Sequence, residues 1–208
     1  MLIFPIVLFI ALFITNYLKE KFFFNSLSLA RLILVLSLLI NAYSYLNIAE
    51  KLNTFNYNLF DNFLGFREGG LATTSIMLII ISFIILSFNK FYKRYIPLSA
   101  TLSYLIFAFI FSLIFSNNYL NLIMAGHIYF SFIFIASDIY TSPNTILTHI
   151  IYGFITGFIT AILANLTIYE SPYISTFIAS LLIPLLNKIG NNWYFSKVTS
   201  KHTKNHQN

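Results

Sequence analysis

Residues 146–169 read ILTHIIYGFITGFITAILANLTIY, an apolar run that contains no Asp, Glu, Lys or Arg. A helix needs about 20 consecutive apolar residues to cross a bilayer, and this run is long enough. Gly153, Gly157, Ala161 and Asn165 recur every four residues, so they form one narrow stripe on a helix. Small residues let a neighbouring membrane helix approach closely. The stretch therefore predicts a membrane span that packs through this stripe, with Asn165 as an interhelical hydrogen-bonding group.

The rest of the chain has the same character. It is 208 residues long, 58% hydrophobic and only 9% charged, and no soluble domain could hide that much apolar surface. We predict an all-α integral membrane protein, a polytopic bundle of about seven spans, with one transmembrane domain at 1–190 and a short basic, disordered tail at 191–208. The other six candidate spans are 2–18, 27–48, 71–88, 96–116, 119–137 and 173–189.

The charged residues predict the orientation of these spans. An N-terminus outside the cell would leave inside Lys19, Lys21, Lys90, Lys93, Arg94, Lys188, Lys197, Lys201 and Lys204. The positive-inside rule favours this orientation, with a cytoplasmic C-terminus. Because the basic residues are scattered among the spans, we expect membrane lipid and no nucleic acid as a partner. The chain has no cysteine, which excludes disulfides, thiolate metal sites and iron–sulfur ligation.

A glycine-rich segment, EGGLATTSIML at 68–78, opens the third predicted span. Gly69 and Gly70 permit close backbone approach, and we place Thr73, Thr74 and Ser75 in the first helical turn, where amides lack partners. Such amides bind an anion or a flavin phosphate. The alternative is that a hydroxyl simply caps the helix and the glycines form the turn.

A second polar segment, FIASDIYTSPNT at 134–145, follows the fifth span. Asp138 is expected to accept hydrogen bonds from the amides of Tyr140 and Thr141 in an Asx-type turn, beside Ser142. Pro143 prevents the helix from continuing. A carboxylate is much less costly at a helix end than within the hydrocarbon, so this position suits Asp138.

Other polar residues leave two interpretations open. His127 and His149 would relay protons or touch a cofactor, or would be hydrogen-bonded structural histidines. Glu170 is interpreted as a solvated loop acid that ends a helix before Pro172. The long loop at 50–70 is too polar to span, and it is where we expect a ligand or partner to bind.

These segments, in this order, resemble the NqrB/RnfD family, the membrane subunits of sodium-pumping quinone reductase and of the Rnf complex. GGLATTS at 69–75 resembles the family's G-S-L-G-E-T-S segment, and Asp138, Thr141 and Ser142 match its A-T-D-P-V-T-S-P signature. YGFITG at 152–157, YESP at 169–172 and IPLL at 183–186 follow the order of later family motifs. The resemblance covers most of the chain.

The resemblance implies FMN or riboflavin as cofactor, but not covalent FMN. The family attaches FMN to a threonine in a [S/T]-G-A-T motif, whereas the corresponding interval here, residues 32–68, has only Thr54 and no such motif. Candidate cofactor-binding residues are Gly69, Gly70, Thr73, Thr74, Ser75, Asp138, Thr141 and Ser142. No catalytic residue or metal ligand is predicted.

The implied function is that of a shortened membrane subunit, not an autonomous enzyme, in an RnfD/NqrB-like complex of the bacterial inner membrane. It would support flavin-mediated electron transfer coupled to Na⁺ or H⁺ movement, alongside other subunits of the complex. Two alternatives stay open: a stand-alone permease for an ion or small solute on the same helices, and a structural assembly subunit without cofactor.

Overall fold

The structure, a computed structural model, describes residues 59–66, 74–166 and 170–205. Every element within these ranges is helical. The predicted spans 2–18 and 27–48 lie outside the described residues. In chain order the elements are α1 Leu59–Leu64, α2 Ile76–Ser87, α3 Tyr95–Phe115, α4 Tyr119–Ile123, α5 Gly126–Phe130, a π-helical segment Ser131–Ala136, α6 Ile146–Asn165, α7 Ser171–Leu181 and α8 Ile183–Asn205.

Three stretches of the described chain are long and apolar enough to cross a membrane, namely α3, Tyr119–Ala136 and α6. A fourth is formed if the pair α7 and Ile183–Phe195, bent by 55°, counts as one span. The break lies at Leu182, and Pro184 just after it has no amide to bond the carbonyl of Ser180. The described part is therefore an all-helical membrane bundle, as predicted from the sequence.

The predicted third span is shorter in the structure. Helix α2 has 12 residues, about 18 Å of helix, which is less than the roughly 30 Å hydrocarbon core. Ser75 lies outside the helix as its N-cap, not in the first turn, and its Oγ accepts the amide of Leu78 at 3.3 Å. The short helix α1 lies within the loop predicted at 50–70 and packs against α2 through the turn at Gly65, where φ is +97°.

The core of the bundle is the contact between α3 and α6. The stripe predicted from the sequence forms this interface: Gly153 lies against Ser99 and Ile96, and Gly157 against Ser103 and Ala100. Ala161 is fully buried in the same face. At the far end, Asn117 donates through Nδ2 to the carbonyl of Asn165 at 2.6 Å. The packing prediction is confirmed.

Two expectations about the chain's polar ends are wrong. Residues 191–205 continue helix α8, so the prediction of a disordered tail fails over that range. Glu170 is not a solvated loop acid, because only 3% of it is exposed where it precedes α7. Pro172 follows it in the first turn of α7, a position where a missing amide costs nothing.

Candidate functional site

The loop 137–145, here called the Asp138 loop, joins the π-helical segment to α6 and is held in a tight turn. The carboxylate oxygen Oδ2 of Asp138 accepts the amide of Thr141 at 3.2 Å and its hydroxyl at 2.6 Å. The hydroxyl of Ser142 donates to the carbonyl of Asp138 at 2.5 Å. The predicted Asx-type turn is therefore present on Thr141, and the three predicted residues of this segment are brought together.

Lys93, from the segment between α2 and α3, binds this loop. Its Nζ donates to the carbonyl oxygens of Ile139 at 2.9 Å, Ser142 at 3.0 Å and Pro143 at 2.9 Å. An ammonium group has three donors, so all three are used. Burial lowers the pKa of Lys93, while the nearby carboxylate of Asp138 acts in the opposite direction.

Tyr92 attaches the same segment to the end of the π-helical segment. Its hydroxyl donates to the carbonyl of Ile133 at 2.9 Å, and the hydroxyl of Ser137 also donates to that carbonyl. Burial raises the pKa of Tyr92 to about 12, against the opposing hydrogen bond with Ser137. Two neighbouring side chains thus tie the start of α3 to the Asp138 loop and its approach.

The other side of the Asp138 loop is held by α6 and α8. Thr145 and Thr148 form a capping box at the start of α6. The amide of Asn144 donates to Oδ1 of Asn187 at 3.0 Å. Nε2 of His149 lies 2.9 Å from the carbonyl of Pro143, and because a carbonyl only accepts, we assign the hydrogen of the imidazole to Nε2.

His149 is thus a structural histidine in its contact with Pro143, one of the two roles predicted for it. Its other nitrogen, Nδ1, is buried and has no hydrogen-bond partner among the described residues. The hydroxyl of Tyr152, about one turn further along α6, is also buried without a hydrogen-bond partner among the described residues, and its side chain is 0% exposed. His127 lies apart, as the second residue of α5, and is buried there.

A column of buried hydroxyl groups continues along α6 from Tyr152. Thr156 donates to the carbonyl of Tyr152 at 2.8 Å, and Thr160 donates to the carbonyl of Thr156 at 2.7 Å. The hydroxyls of Thr160 and Ser175 are 2.6 Å apart. Ser175 in turn donates to the carbonyl of Pro172 at 3.0 Å. The column therefore runs from the backbone of Tyr152 to the start of α7, which follows the buried Glu170.

The comparison with known families decides which protein class these helices represent. A model of the NQR2, RnfD, RnfE family matches residues 4–195, almost the whole chain. The chain belongs to this family. Among curated proteins none matches the sequence significantly. The NQR2, RnfD, RnfE family comprises membrane subunits of ion-translocating complexes, which agrees with the apolar helices described above.

The candidate cofactor-binding residues of this NQR2/RnfD/RnfE protein that the structure describes lie at two ends of the bundle. Thr74 and Ser75 precede α2, whereas Asp138, Thr141 and Ser142 lie near the residues that follow the other end of α2. Helix α2 separates them by about 18 Å, so they do not form one site. The remaining candidates, Gly69, Gly70 and Thr73, lie outside the described residues.

The described candidates do not fit a flavin phosphate. The hydroxyls of Thr141 and Ser142, which a phosphate would need as donors, both donate within the Asp138 loop. The carboxylate of Asp138 adds a negative charge beside them. The hydroxyl oxygen of Ser75 already accepts the amide of Leu78 as the cap of α2. We therefore derive no flavin chemistry from these side chains, and their cofactor role stays a prediction.

The sequence interpretation missed the residues that organise this end of the bundle. In the sequence Lys93 indicates only the orientation of the spans, because nothing there distinguishes it from Lys90 or Arg94. Asn187 binds Asn144 of the Asp138 loop across 43 residues. Tyr92 binds Ile133, in the π-helical segment before the loop, across 41 residues. Only the packing of α3, α6 and α8 brings such distant residues together.

Proposed function

We propose that this chain is a membrane subunit of an RnfD/NqrB-like ion-translocating electron transport complex, supporting flavin-mediated electron transfer coupled to Na⁺ or H⁺ movement. The observation that carries the proposal is the family match over residues 4–195. The complex would lie in the bacterial inner membrane, with the N-terminus outside, and its FMN or riboflavin would be held outside the described residues or by other subunits.

The buried hydroxyl column supports a role in ion movement. Thr156, Thr160 and Ser175 are each 0% exposed, and Thr176 and Ser180 of α7 are buried to the same degree. Polar groups inside a membrane bundle often mark ion pathways, although hydroxyls also serve to join helices. Here the column lies between the start of α6, which follows the Asp138 loop, and the start of α7, which follows Glu170. A cation or proton crossing the chain would find oxygen atoms along this line.

The hydroxyl of Thr160 offers the sharpest test of this proposal. Thr160→Val keeps the shape of the side chain and removes the hydroxyl that lies 2.6 Å from the hydroxyl of Ser175. Thr101→Val is the matched control, because Thr101 carries its hydroxyl on α3, where it donates to Leu98 outside the column. Both variants are built into the intact complex in membrane vesicles. Electron transfer and Na⁺ or H⁺ uptake are then measured on the same preparation.

We expect Thr160→Val to lower ion uptake while electron transfer continues, and Thr101→Val to leave both unchanged. Equal ion uptake in the two variants at equal protein levels would contradict the assignment of the column. Loss of uptake and electron transfer together in both variants would indicate damage to assembly, and a conservative Thr160→Ser then serves to restore the hydroxyl.

The column also favours a second candidate, a stand-alone permease, because a permease would use the same line of oxygens. Mild solubilisation of the tagged chain, followed by identification of the co-purifying chains, separates the two. Partner subunits with electron-transfer activity support the complex subunit, and a lone chain that transports solute in vesicles supports the permease. Partners without any flavin in the preparation support a purely structural subunit. Flavin fluorescence that stays with the acid-precipitated chain would contradict the expectation of noncovalent flavin.

A further inference from the structure

Three backbone carbonyl groups of the Asp138 loop converge on one point. The carbonyl oxygens of Ile139, Ser142 and Pro143 all lie 2.9–3.0 Å from the Lys93 nitrogen. We call this arrangement the carbonyl cup. Converging backbone carbonyls replace the hydration shell of K⁺ in channel filters, where several loops supply them. In this structure the cation in the cup is an ammonium group that the chain itself supplies.

We propose that the carbonyl cup is a binding site for a small monovalent cation, NH₄⁺ or K⁺, and that the Lys93 ammonium is its tethered occupant. The side chain and a free cation would then exclude each other from the cup. The site is independent of the ion column and of any electron-transfer role, since it can be occupied and measured in the isolated chain.

The cup is held in shape by contacts that do not involve Lys93. The carboxylate of Asp138 binds Thr141, and the hydroxyl of Ser142 binds the carbonyl of Asp138. The carbonyl of Pro143 has a second partner in Nε2 of His149, at 2.9 Å. Because these bonds remain when the lysine is removed, the carbonyl oxygens are expected to stay convergent and to accept another cation.

The distances and charges of the cup favour a monovalent cation. Separations of 2.9–3.0 Å are normal for N–H···O bonds and suit an ammonium ion. Mg²⁺ needs about 2.0–2.1 Å and near-octahedral oxygens, which a loop fixed at these separations does not offer. The ligands are neutral carbonyls, and the single nearby carboxylate, Asp138, balances one positive charge.

Exchange is sterically open because Lys93 is only half-buried, with its flexible stem leading from the surface. Burial also lowers the pKa of Lys93, so the ammonium is less favourable in this position than in water.

The first experiment replaces the lysine. Lys93→Ala is compared with Lys90→Ala, which removes an exposed lysine of the same segment, in matched concentrations of ammonium, potassium, magnesium and choline chloride. We expect the melting temperature of Lys93→Ala to be about 3 °C or more higher in ammonium or potassium than in choline. Wild type and Lys90→Ala should show no such difference. An equal response in all salts, or the same response in Lys90→Ala, would overturn the proposal.

The second measurement uses the wild-type chain and decides the matter even if Lys93→Ala does not fold in any salt. Amine acylation of Lys93 is quantified by mass spectrometry relative to Lys90 in the same molecules. In potassium chloride without ammonium, K⁺ would occupy the cup in part of the molecules and leave the Lys93 amine free to react. The ratio of Lys93 to Lys90 labelling should then be about twofold or more higher in potassium than in choline. A ratio that is the same in potassium and choline would show that the cup does not accept a free cation.

Discussion

A single methyl group at Gly157 measures how tightly α3 and α6 are packed. A Cβ atom there would overlap the carbonyl oxygen of Ala100 and the hydroxyl of Ser103, and would lie 3.0 Å from the amide nitrogen of Tyr104. Two of these three atoms are backbone and cannot rotate away. Gly157→Ala must therefore push the helices apart by roughly 1 Å, a gap that forfeits a quarter to a half of the dispersion energy of the contacts affected.

The expected cost follows from two opposing effects. Overpacking of a close interface costs about 1–3 kcal/mol, whereas alanine gains about 0.5–1 kcal/mol over glycine within a helix. Because the clash includes backbone atoms, the overpacking cost lies in the upper part of its range, about 2–3 kcal/mol, and the net loss for Gly157→Ala is about 1–2.5 kcal/mol. For a chain of this size that corresponds to a fall of about 2–10 °C in melting temperature. Circular dichroism of the purified chain in detergent measures it.

Three other variants make the test specific. Gly153→Ala meets the carbonyl of Ile96 at 2.5 Å and should behave like Gly157→Ala. Gly190→Ala meets only side-chain atoms of Thr145 and Thr148, so its loss should be smaller. Ile150→Val, on the exposed face of α6, controls for a change of similar size away from the interface. A Gly157→Ala chain as stable as wild type, or more stable, would refute the reasoning, because helix propensity would then outweigh the packing.

Two further predictions concern the ends of the bundle. Thr145→Ala should lower the stability of the chain by about 1 kcal/mol in thermal unfolding, because it removes the cap of α6, and Thr145→Ser should retain most of it; equal losses in both would contradict the capping role. Because the pKa of Tyr92 is raised from 10.0 to about 12, the folded chain keeps a proton that the unfolded chain loses, and stability should fall as pH rises through that interval. Tyr92→Phe should reduce that fall in stability. If the melting temperatures of wild type and Tyr92→Phe fell by the same amount over that pH interval, the prediction would be contradicted.

The parts of the fold that the sequence predicted are those set by local composition. The apolar runs at 96–116 and 146–168 form α3 and α6, with ends that differ from the prediction by at most three residues. The stripe of Gly153 and Gly157 predicted the main helix contact, because close approach requires small side chains whatever the partner is. Likewise, Asp138 and Thr141 are near enough in sequence for their turn chemistry to be read directly.

Features that depend on contacts between distant segments could not be predicted in the same way. The run at 119–137 gives no local signal for its break at Met124 or for the π-helical segment, which has the same apolar composition as the α-helices around it. Pro184 is a local signal for the bend before α8, but the sequence prediction treats it only as part of the family motif IPLL at 183–186. The role of Lys93 depends on where the Asp138 loop lies in space. The identity of residue 93 alone does not predict the position of a loop 46–50 residues away.

The π-helical segment Ser131–Ala136 has a consequence for the evolution of chain length. A π-helical turn holds more residues than an α-helical turn, so it accommodates an inserted residue without unfolding the span. Removing one residue here would rotate everything that follows by about 100° relative to the preceding helix. The carbonyl of Ile133 would turn away from Tyr92, and the loop beyond it would face a different neighbour. The number of residues in this segment is thus constrained independently of their identity, and insertions or deletions should be rarer here than substitutions.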